Sequence, residues 1–482
     1  MNNHSLDRSN VINESDGLFV SSDDIRHEFA AAMSAMYQTE VPLYSDLLDL
    51  VAEVNTEVLT KYPEVKEQLE HTGELDRLNM ERHGAIRLGT AAELSMMRRL
   101  FAVMGMYPVG YYDLAPAGVP VHSTAFRAID SEALNNSPFR VFTSLLRLDL
   151  IDDEALKKEA SNALANRQIF TDKAVELIEI FEAQGGLSAA DAKQFIKEAL
   201  ATFRWHDKTP VSKELYQRLL EQHGLIADVV GFKGPHINHL TPRTLDIDAV
   251  QQRMQSKGIP PKAIIEGPPT RKCPVLLRQT SFKALEEAVS FKNEVGDYEQ
   301  GHHTARFGEI EQRGVALTPK GRALYDTLLN DARQQLGATP NENNAAEYYQ
   351  ILEESFEAFP DDYQSLHDEE LAYFYYQAVD QNINADSNTL LSGSEINALI
   401  KQGAIRIEPI VYEDFLPVSA AGIFQSNLKQ DKQSNSDDYK GHSNKLDFEQ
   451  ALGAQVYDEL ALYEAMQAQS LKDCLTALER CV

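Results

Sequence analysis

The chain has 482 residues, of which 43% are hydrophobic and 25% are charged, values typical of a globular protein rather than a disordered or fibrous one. Its 74 acidic and 45 basic side chains give a formal net charge of −29, which argues against nucleic acid or an anionic membrane surface as a main partner. Three cysteines are too few for a disulfide framework. The sequence shows no targeting signal and no apolar run long enough to span a membrane, so we expect a cytoplasmic protein.

The predicted elements of the N-terminal third alternate between helices and strands. Residues 1–21 are polar and predict a mobile arm, and Ser22 begins an amphipathic helical pattern that a second helix over 43–61 follows. Thr90 and Glu93 form a capping-box pattern at the start of a further helix. Short runs of β-forming residues predict strands at 82–89, 106–114, 119–129 and 138–147. This order indicates a mixed α+β arrangement rather than a repeated βαβ one.

The middle of the chain is predicted to return to strands after a helical insertion at about 152–224. The insertion carries four helical patterns, at 152–166, 172–184, 188–203 and 212–223. Predicted strands follow at 226–240, 261–266, 274–280 and 304–317. Pro319 suits the first position of the next helix, because an N–H at that position would have no helical partner. We therefore predict an α+β core that extends over 22–335.

The C-terminal part of the chain differs in composition. Residues 336–400 predict a helical subdomain that is both acidic and aromatic, since 341–400 holds 13 acidic residues and no Lys or Arg. A purely solvating acidic segment would be poor in aromatics, and a docking face for a basic partner is the functional alternative. The last segment, 401–482, is expected to complete the site, with a polar surface loop at 427–446 and a terminal helix after it.

The first candidate functional residues lie on the predicted strand 82–89. His83, Ala85 and Arg87 would share one face of that strand, and the small Ala85 would let a ligand lie between the other two side chains. The same residues would also suit an exposed edge strand with two solvated polar side chains.

A second candidate is the histidine pair His236 and His239. Their spacing would suit one metal ion on a helix, but Gly234 and Pro235 precede them, so we predict an extended segment. Only one of the two is then expected to be a metal ligand. The alternative is that both are ordinary loop histidines.

A third candidate is the predicted strand 304–317, on which Phe307, Glu309, Glu311 and Arg313 would share one face. Two carboxylates and an arginine are costly to bury unless they are paired or bind a metal. An exposed strand face with a Glu–Arg pair is the alternative.

Two histidines and one carboxylate from three separate strands would form a facial triad of metal ligands. Such a triad leaves coordination positions open and favours Fe(II) with oxygenase chemistry. Zn2+ with two His and one Glu is the competing assignment, because hydrolytic zinc sites use the same ligands. Spacing alone does not separate the two metals.

Five segments of the sequence carry a resemblance to one enzyme family. They are RHGAIRLGT (82–90), HINHLTPR (236–243), QTSFKAL (279–285), FGEIEQRGVALTPKGRALYD (307–326) and VYEDFLPVSAAGIFQSNL (411–428). The chain resembles the 2-oxoadipate dioxygenase/decarboxylase (hydroxyglutarate synthase) family, whose bacterial members include the YdcJ-type proteins. The resemblance implies an α+β fold like that of the vicinal-oxygen-chelate proteins, with a curved mixed β-sheet around a metal site and large helical elaborations.

The resemblance also implies which residues act. It implies that Fe(II) binds to His83, His239 and Glu309, whereas strand alternation alone leaves Glu311 as an equal candidate. The substrate-binding residues that it implies are Arg87, Val418 and Ser419.

The implied reaction converts 2-oxoadipate and O2 into 2-hydroxyglutarate and CO2, in lysine catabolism. The keto diacid is its own reductant, so no nicotinamide or second oxo acid is expected. Two alternatives stay open: a zinc- or manganese-dependent lyase, isomerase or hydrolase acting on a related keto acid, and a non-catalytic binding protein. A complete set of ligands together with Arg87 argues against the last of these.

Overall fold

The structure is a computed structural model, and it describes residues 19–293, 296–379, 393–416 and 441–479. The first 18 residues of the predicted arm lie outside these ranges, as do Val418 and Ser419.

The strands in the described part of the chain are short, and most of them belong to one sheet. Their bounds are β1 His83–Leu88, β2 Tyr107–Asp113, β3 Val121–Arg127, β4 Arg140–Leu146, β5 Lys208–Thr209, β6 His239–Thr241, β7 Leu277–Ser281, β8 Glu286–Lys292, β9 Tyr298–Thr304, β10 Phe307–Arg313, β11 Phe374–Ala378 and β12 Ile405–Pro409.

The α-helices lie before, between and after these strands along the chain. Their bounds are α1 Ser22–Glu40, α2 Pro42–Lys61, α3 Pro63–His71, α4 Ala91–Val103, α5 Ser131–Asn136, α6 Glu154–Ala165, α7 Asp172–Gln184, α8 Ala189–Ala201, α9 Lys213–Gln222, α10 Gly224–Gly231, α11 Ile247–Met254, α12 Pro319–Leu336, α13 Ala345–Phe356, α14 Tyr363–Asp368, α15 Gly393–Lys401, α16 Gly441–Leu452 and α17 Glu459–Glu479. Among the described helices, none combines the length and the apolar character needed to cross a lipid bilayer.

The main sheet has seven strands in the order β2-β3-β4-β1-β6-β10-β7 and is curled into a half-barrel. It is mixed, because β1 runs parallel to β4 and antiparallel to β6, and β6 runs parallel to β10. Strands β5, β8 and β9 form a second small sheet, and β11 pairs with β12. The expected α+β class with a curved mixed sheet is therefore confirmed.

One face of the main sheet packs against the N-terminal helices. Ile86 of β1 and Ile310 of β10 are fully buried in the same hydrophobic core as Phe29 and Leu47 of the first two helices. Gly308 allows this close approach, because a Cβ atom at that position would lie only 2.8 Å from Tyr44 and 2.9 Å from Leu47 of α2. The other face of β1, β6 and β10 carries buried polar side chains, among them His83, His239 and Glu309, and forms the candidate site.

Many predicted elements are confirmed with small shifts of their ends. The Thr90–Glu93 capping box is present, with both reciprocal hydrogen bonds, at the start of α4. The four helices of the predicted insertion correspond to α6 to α9, and Pro319 opens α12. The division of the chain into domains stays a prediction.

Three predicted segments differ from the structure. The strand at 226–240 is wrong, because Gly224–Gly231 forms a helix and only His239–Thr241 of this segment is a strand. Residues 225–231 are all buried, so the helix has no polar side whose spacing could reveal it. Residues 261–266 contribute only isolated bridges. The predicted loop at 427–446 is wrong over its last part, since α16 already begins at Gly441.

Candidate active site

Three neighbouring strands bring the predicted metal ligands onto one face. Ala85 of β1 lies opposite His239 of β6, and Phe307 of β10 is the other cross-strand neighbour of His239. Side chains that are opposite each other across a ladder point to the same face, as do those two residues apart on a strand. His83, His239 and Glu309 therefore meet on the face away from the helices.

The donor atoms of these three side chains form a compact cluster. All lie within 4.8 Å of one another, and the three side chains are completely buried. The His83 Nε2 atom is 2.9 Å from Glu309 Oε1, and His239 Nε2 is 3.9 Å from Glu309 Oε2. Neither ring nitrogen of His239 nor Oε2 of Glu309 has a hydrogen-bond partner among the described residues.

Burial shifts the pKa values of His239 and Glu309 in this cluster, whereas the neighbouring Glu311 and Glu309 raise the pKa of His83 despite its burial. Burial lowers the pKa of His239 well below its ordinary value, which keeps the imidazole neutral and its lone pair available. Burial also raises the pKa of Glu309. Unpartnered polar atoms of this kind are costly in a protein interior. A divalent cation bound to two imidazoles and one carboxylate would satisfy them, so the residues fit a metal ion.

Glu311, the other carboxylate on β10, has different partners. It accepts two hydrogen bonds from Arg313, at 2.5 and 2.8 Å, and its Oε2 lies 2.8 Å from His83 Nδ1. Burial alone would raise the pKa of Glu311, but Arg313 and His83 hold it well below its ordinary value. The ionised Glu311 favours a proton on Nδ1 of His83, so Nε2, which faces Glu309, is the ring nitrogen that could bind a metal ion. Glu311 is thus placed as an outer carboxylate that can orient His83, one of the predicted metal ligands.

Aromatic rings pack around both histidines. The Phe415 ring meets the His83 ring edge-on at 4.8 Å between centroids, and Phe307 stacks on His239 at 4.9 Å. Two polar side chains also contact the cluster: the Gln279 amide donates to Glu309 Oε1 at 2.5 Å, and the Thr241 hydroxyl lies 3.1 Å from His83 Nε2. These walls limit the access of water to the donor atoms.

Arg87 lies on the same face as the cluster, two residues beyond Ala85. That spacing corresponds to about 6.6 Å along the strand. The Arg87 side chain is largely buried, and its Nη1 atom donates to Asp228 Oδ2 at 2.6 Å. The guanidinium of Arg87 is therefore held by Asp228 on the same face as the metal-ligand cluster, further along β1.

His236 does not join the metal-ligand cluster. It belongs with Asp228 and His303 to a second buried group, whose donor atoms also lie within 4.8 Å of one another. Asp228 and His303 were not singled out from the sequence, because Asp228 lies in the segment predicted to be a strand. His303 carried a partial signal, since it stands in the segment HHTARFG just before β10.

Comparisons with known proteins agree on one family. The family described as 2-oxoadipate dioxygenase/decarboxylase matches residues 29–427. A 2-oxoadipate dioxygenase/decarboxylase of Pseudomonas putida is 59% identical over 464 residues, which cover 95% of this chain and 98% of the relative. One from Escherichia coli is 53% identical over 455 residues, which cover 94% of this chain and 98% of the relative.

A solved structure extends the similarity to the fold. The crystal structure of hydroxyglutarate synthase from Pseudomonas putida, in complex with 2-oxoadipate, superimposes with a TM-score of 0.87 at 56% identity, covering 96% of this chain and 100% of that one. The family match and these relatives together show that the chain belongs to the 2-oxoadipate dioxygenase/decarboxylase family.

Proposed function

We propose that this protein is an Fe(II)-dependent dioxygenase that converts 2-oxoadipate and O2 into 2-hydroxyglutarate and CO2. The observation that carries the proposal is the buried cluster of His83, His239 and Glu309, whose unpartnered donor atoms suit a divalent cation. Family membership supports the substrate, because a relative that is 56% identical has been crystallised with 2-oxoadipate. The cytoplasmic location stays a prediction from the sequence.

The overall reaction balances without another reactant. The six-carbon keto diacid loses its first carbon, with both oxygens of that carboxylate, as CO2. The two oxygen atoms of O2 both enter the five-carbon hydroxy diacid, one in the carboxylate formed from the keto carbon and one in the new hydroxyl group. The substrate supplies the electrons that reduce O2. When bound, Fe(II) would supply the activation of O2 and the chelation of the 2-oxo acid group.

At the keto acid end of the substrate, the protein would hold the metal ion and shield the site from water. His83, His239 and Glu309 all approach from one face, which leaves the opposite coordination positions open to substrate and O2. Glu311 keeps the His83 ring in one orientation and tautomer. The rings of Phe415 and Phe307 keep the surroundings apolar, so the electrostatic contacts within the site are stronger than in water.

Arg87 is proposed to bind the carboxylate at the far end of the substrate. A guanidinium forms strong, directional hydrogen bonds with a carboxylate, and its planar shape matches the two oxygens. Because Arg87 lies about two residues along β1 from the position opposite His239, it can select a diacid of the right chain length. A shorter or longer diacid would misplace either its carboxylate or its keto acid group.

The test is O2 uptake by protein loaded with Fe(II) under anaerobic conditions and then mixed with 2-oxoadipate and O2. We expect equal amounts of O2 consumed, CO2 released and 2-hydroxyglutarate formed, as measured by an oxygen electrode and mass spectrometry. The His83→Ala variant should lose bound iron and activity together. The absence of uptake by protein with one iron per chain would refute the proposal. Turnover of a keto acid by the zinc form without O2 would favour the lyase or hydrolase alternative.

A further inference from the structure

A second buried polar group surrounds Asp228, outside the metal-ligand cluster. Asp228 lies on α10 and is only 5% exposed. Its Oδ2 accepts from Arg87 Nη1 at 2.6 Å, and its Oδ1 accepts from His303 Nε2 at 2.9 Å. Nε2 of His236 lies 3.2 Å from the same Oδ1. One carboxylate thus joins side chains from a central strand, the small sheet and the segment before β6.

Further hydrogen bonds extend this group outward. The Tyr216 hydroxyl of α9 lies 2.7 Å from His303 Nδ1, which places the proton of His303 on the nitrogen that faces Asp228. The Asn238 amide lies 3.3 Å from Asp228 Oδ2. Burial alone would raise the pKa of Asp228, but His236 and Arg87 hold it well below its ordinary value. The carboxylate is therefore ionised, and both of its oxygens have donors.

The same three side chains, Asp228, His236 and His303, could in principle bind a metal ion. Two observations argue against this. The guanidinium of Arg87 already lies 2.6 Å from Asp228 Oδ2, and a fixed positive charge at that distance repels a cation. The Asp228 oxygens both accept hydrogen bonds, whereas Oε2 of Glu309 in the first cluster has no hydrogen-bond partner among the described residues.

We propose that Asp228 is a positioning residue that sets the direction of the Arg87 guanidinium toward the distal carboxylate of the substrate, and that His303 and Tyr216 hold Asp228 in place. This inference rests on the proposed role of Arg87. An arginine side chain has several rotatable bonds, and fixing them in advance removes an entropic cost from substrate binding. Asp228 also balances the charge of Arg87, so the site selects a carboxylate by its position rather than by a free positive charge.

The test compares the binding of two ligands that differ only in the distal carboxylate. The ligands are 2-oxoadipate and 2-oxohexanoate, and their Kd values are measured by calorimetry with Fe(II)-loaded protein in the absence of O2. We expect the unmodified protein to prefer the diacid and Arg87→Ala to abolish the preference. Asp228→Asn should reduce the preference at least tenfold while the Kd of 2-oxohexanoate stays unchanged. A purely structural effect of Asp228→Asn would weaken both ligands alike and would overturn the proposal.

Two matched controls separate this effect from general damage. Asp248→Asn breaks another Arg–Asp pair of the same length, 2.6 Å from the buried Arg278 to the partly exposed Asp248, and should leave the preference unchanged. His303→Gln keeps an N–H donor for Asp228 and should stay close to the unmodified protein, whereas His303→Leu should resemble Asp228→Asn. This pair also tests the proposal if Asp228→Asn does not fold. Equal preference in the two His303 variants contradicts it.

The outcomes distinguish this inference from the proposed function. Because binding is measured without O2, a protein that fails to consume O2 still gives the Kd ratio. An unmodified protein without preference for the diacid, or an Arg87→Ala variant that retains the preference, overturns the positioning role together with the role of Arg87. A normal Arg87→Ala result with an unaffected Asp228→Asn variant overturns only the positioning role. A metal equivalent that remains in His83→Ala/His239→Ala protein and disappears with Asp228→Asn would also overturn it.

Discussion

The two carboxylates of β10 should respond in opposite ways to the same substitution. Glu309 and Glu311 are both fully buried on one strand face, yet Glu311 is paired with Arg313 while Oε2 of Glu309 has no hydrogen-bond partner among the described residues. Glu309→Gln and Glu311→Gln change one oxygen to an amide nitrogen with almost no change in shape. Each variant is therefore the matched control for the other.

The magnitude follows from what each change leaves behind in the metal-free protein. Glu311→Gln leaves the guanidinium of Arg313 buried without its carboxylate, and breaking such a buried pair costs about 3–5 kcal/mol. Glu309→Gln removes a carboxylate whose pKa is raised by burial. The carbonyl oxygen of the new Gln side chain can still accept a hydrogen bond from Gln279. We therefore expect a change in the free energy of unfolding of roughly 1 kcal/mol or less for Glu309→Gln, with a gain in stability allowed.

The effects on metal binding should follow the opposite order. Glu309→Gln removes a proposed ligand and should abolish stoichiometric iron binding. Glu311→Gln keeps all three ligands but loses the partner of His83 Nδ1, for which a roughly 10–100-fold weaker metal affinity is expected. Urea unfolding of chelator-treated protein gives the stabilities, and titration with Fe(II) under anaerobic conditions gives the affinities. A metal-free Glu309→Gln protein that is less stable than Glu311→Gln, or a Glu311→Gln protein that alone loses the metal, would refute the assignment.

Three further variants test other parts of the structure. Arg87→Ala should lower kcat/KM for 2-oxoadipate by the equivalent of about 2–5 kcal/mol, because a buried charge pair with the substrate is lost, and an equal loss with 2-oxohexanoate would contradict this. Burial lowers the pKa of His223 to about 4, against about 6.5 in the unfolded chain, so the unfolded state binds more protons between these values. The contribution of His223 to the stability lost as the pH falls from ~6.5 to ~4 should therefore be up to about 3 kcal/mol. Urea unfolding at both pH values should show that His223→Asn removes this contribution, and the Asn side chain can still accept the N–H that His223 caps at the start of α10. The surface variant His302→Asn should leave the pH dependence of stability unchanged. Gly84→Ala would place a Cβ 2.6 Å from the Ile237 side chain, and we expect a loss of about 1–3 kcal/mol in thermal unfolding together with weaker iron binding at the adjacent histidine.

Local sequence signals were sufficient to predict helices that begin with a capping residue or a proline. The capping box at Thr90 and the proline at 319 mark helix starts by local hydrogen bonding, so tertiary contacts do not change them. The α10 helix at Gly224–Gly231 was missed because residues 225–231 are all buried, and a segment of eight residues with Asp228 as its single polar side chain gives no period to measure.

The candidate site was predictable only in part. Alternation placed Glu309 and Glu311 on one face, but the choice of Glu309 came from the family resemblance. The structure adds a physical criterion: Arg313 is two residues from Glu311 on the same strand face and neutralises it, whereas Glu309 has Gly308 and Ile310 as neighbours. The ion pair of Arg87 and Asp228 joins residues 141 positions apart, so no local pattern could reveal it.

The net charge of −29 would suggest that a dianionic substrate is repelled, but the buried ion-pair group that includes Glu311 holds more positive than negative side chains. In this group five buried arginines share three buried glutamates, of which Glu311 contacts His83: Arg77, Arg82, Arg140, Arg243 and Arg313 with Glu74, Glu311 and Glu413. Arg82 shows the excess most clearly, because its guanidinium makes no hydrogen bond to any described residue, and burial with the neighbouring Arg77 lowers its pKa to about 9. Exposed acidic groups are screened within about 8 Å at physiological salt, whereas buried charges are screened much less. The positive excess of this group therefore acts at short range, where it favours the ionised state of Glu311 and offsets part of the repulsion that the acidic surface exerts on an anionic substrate.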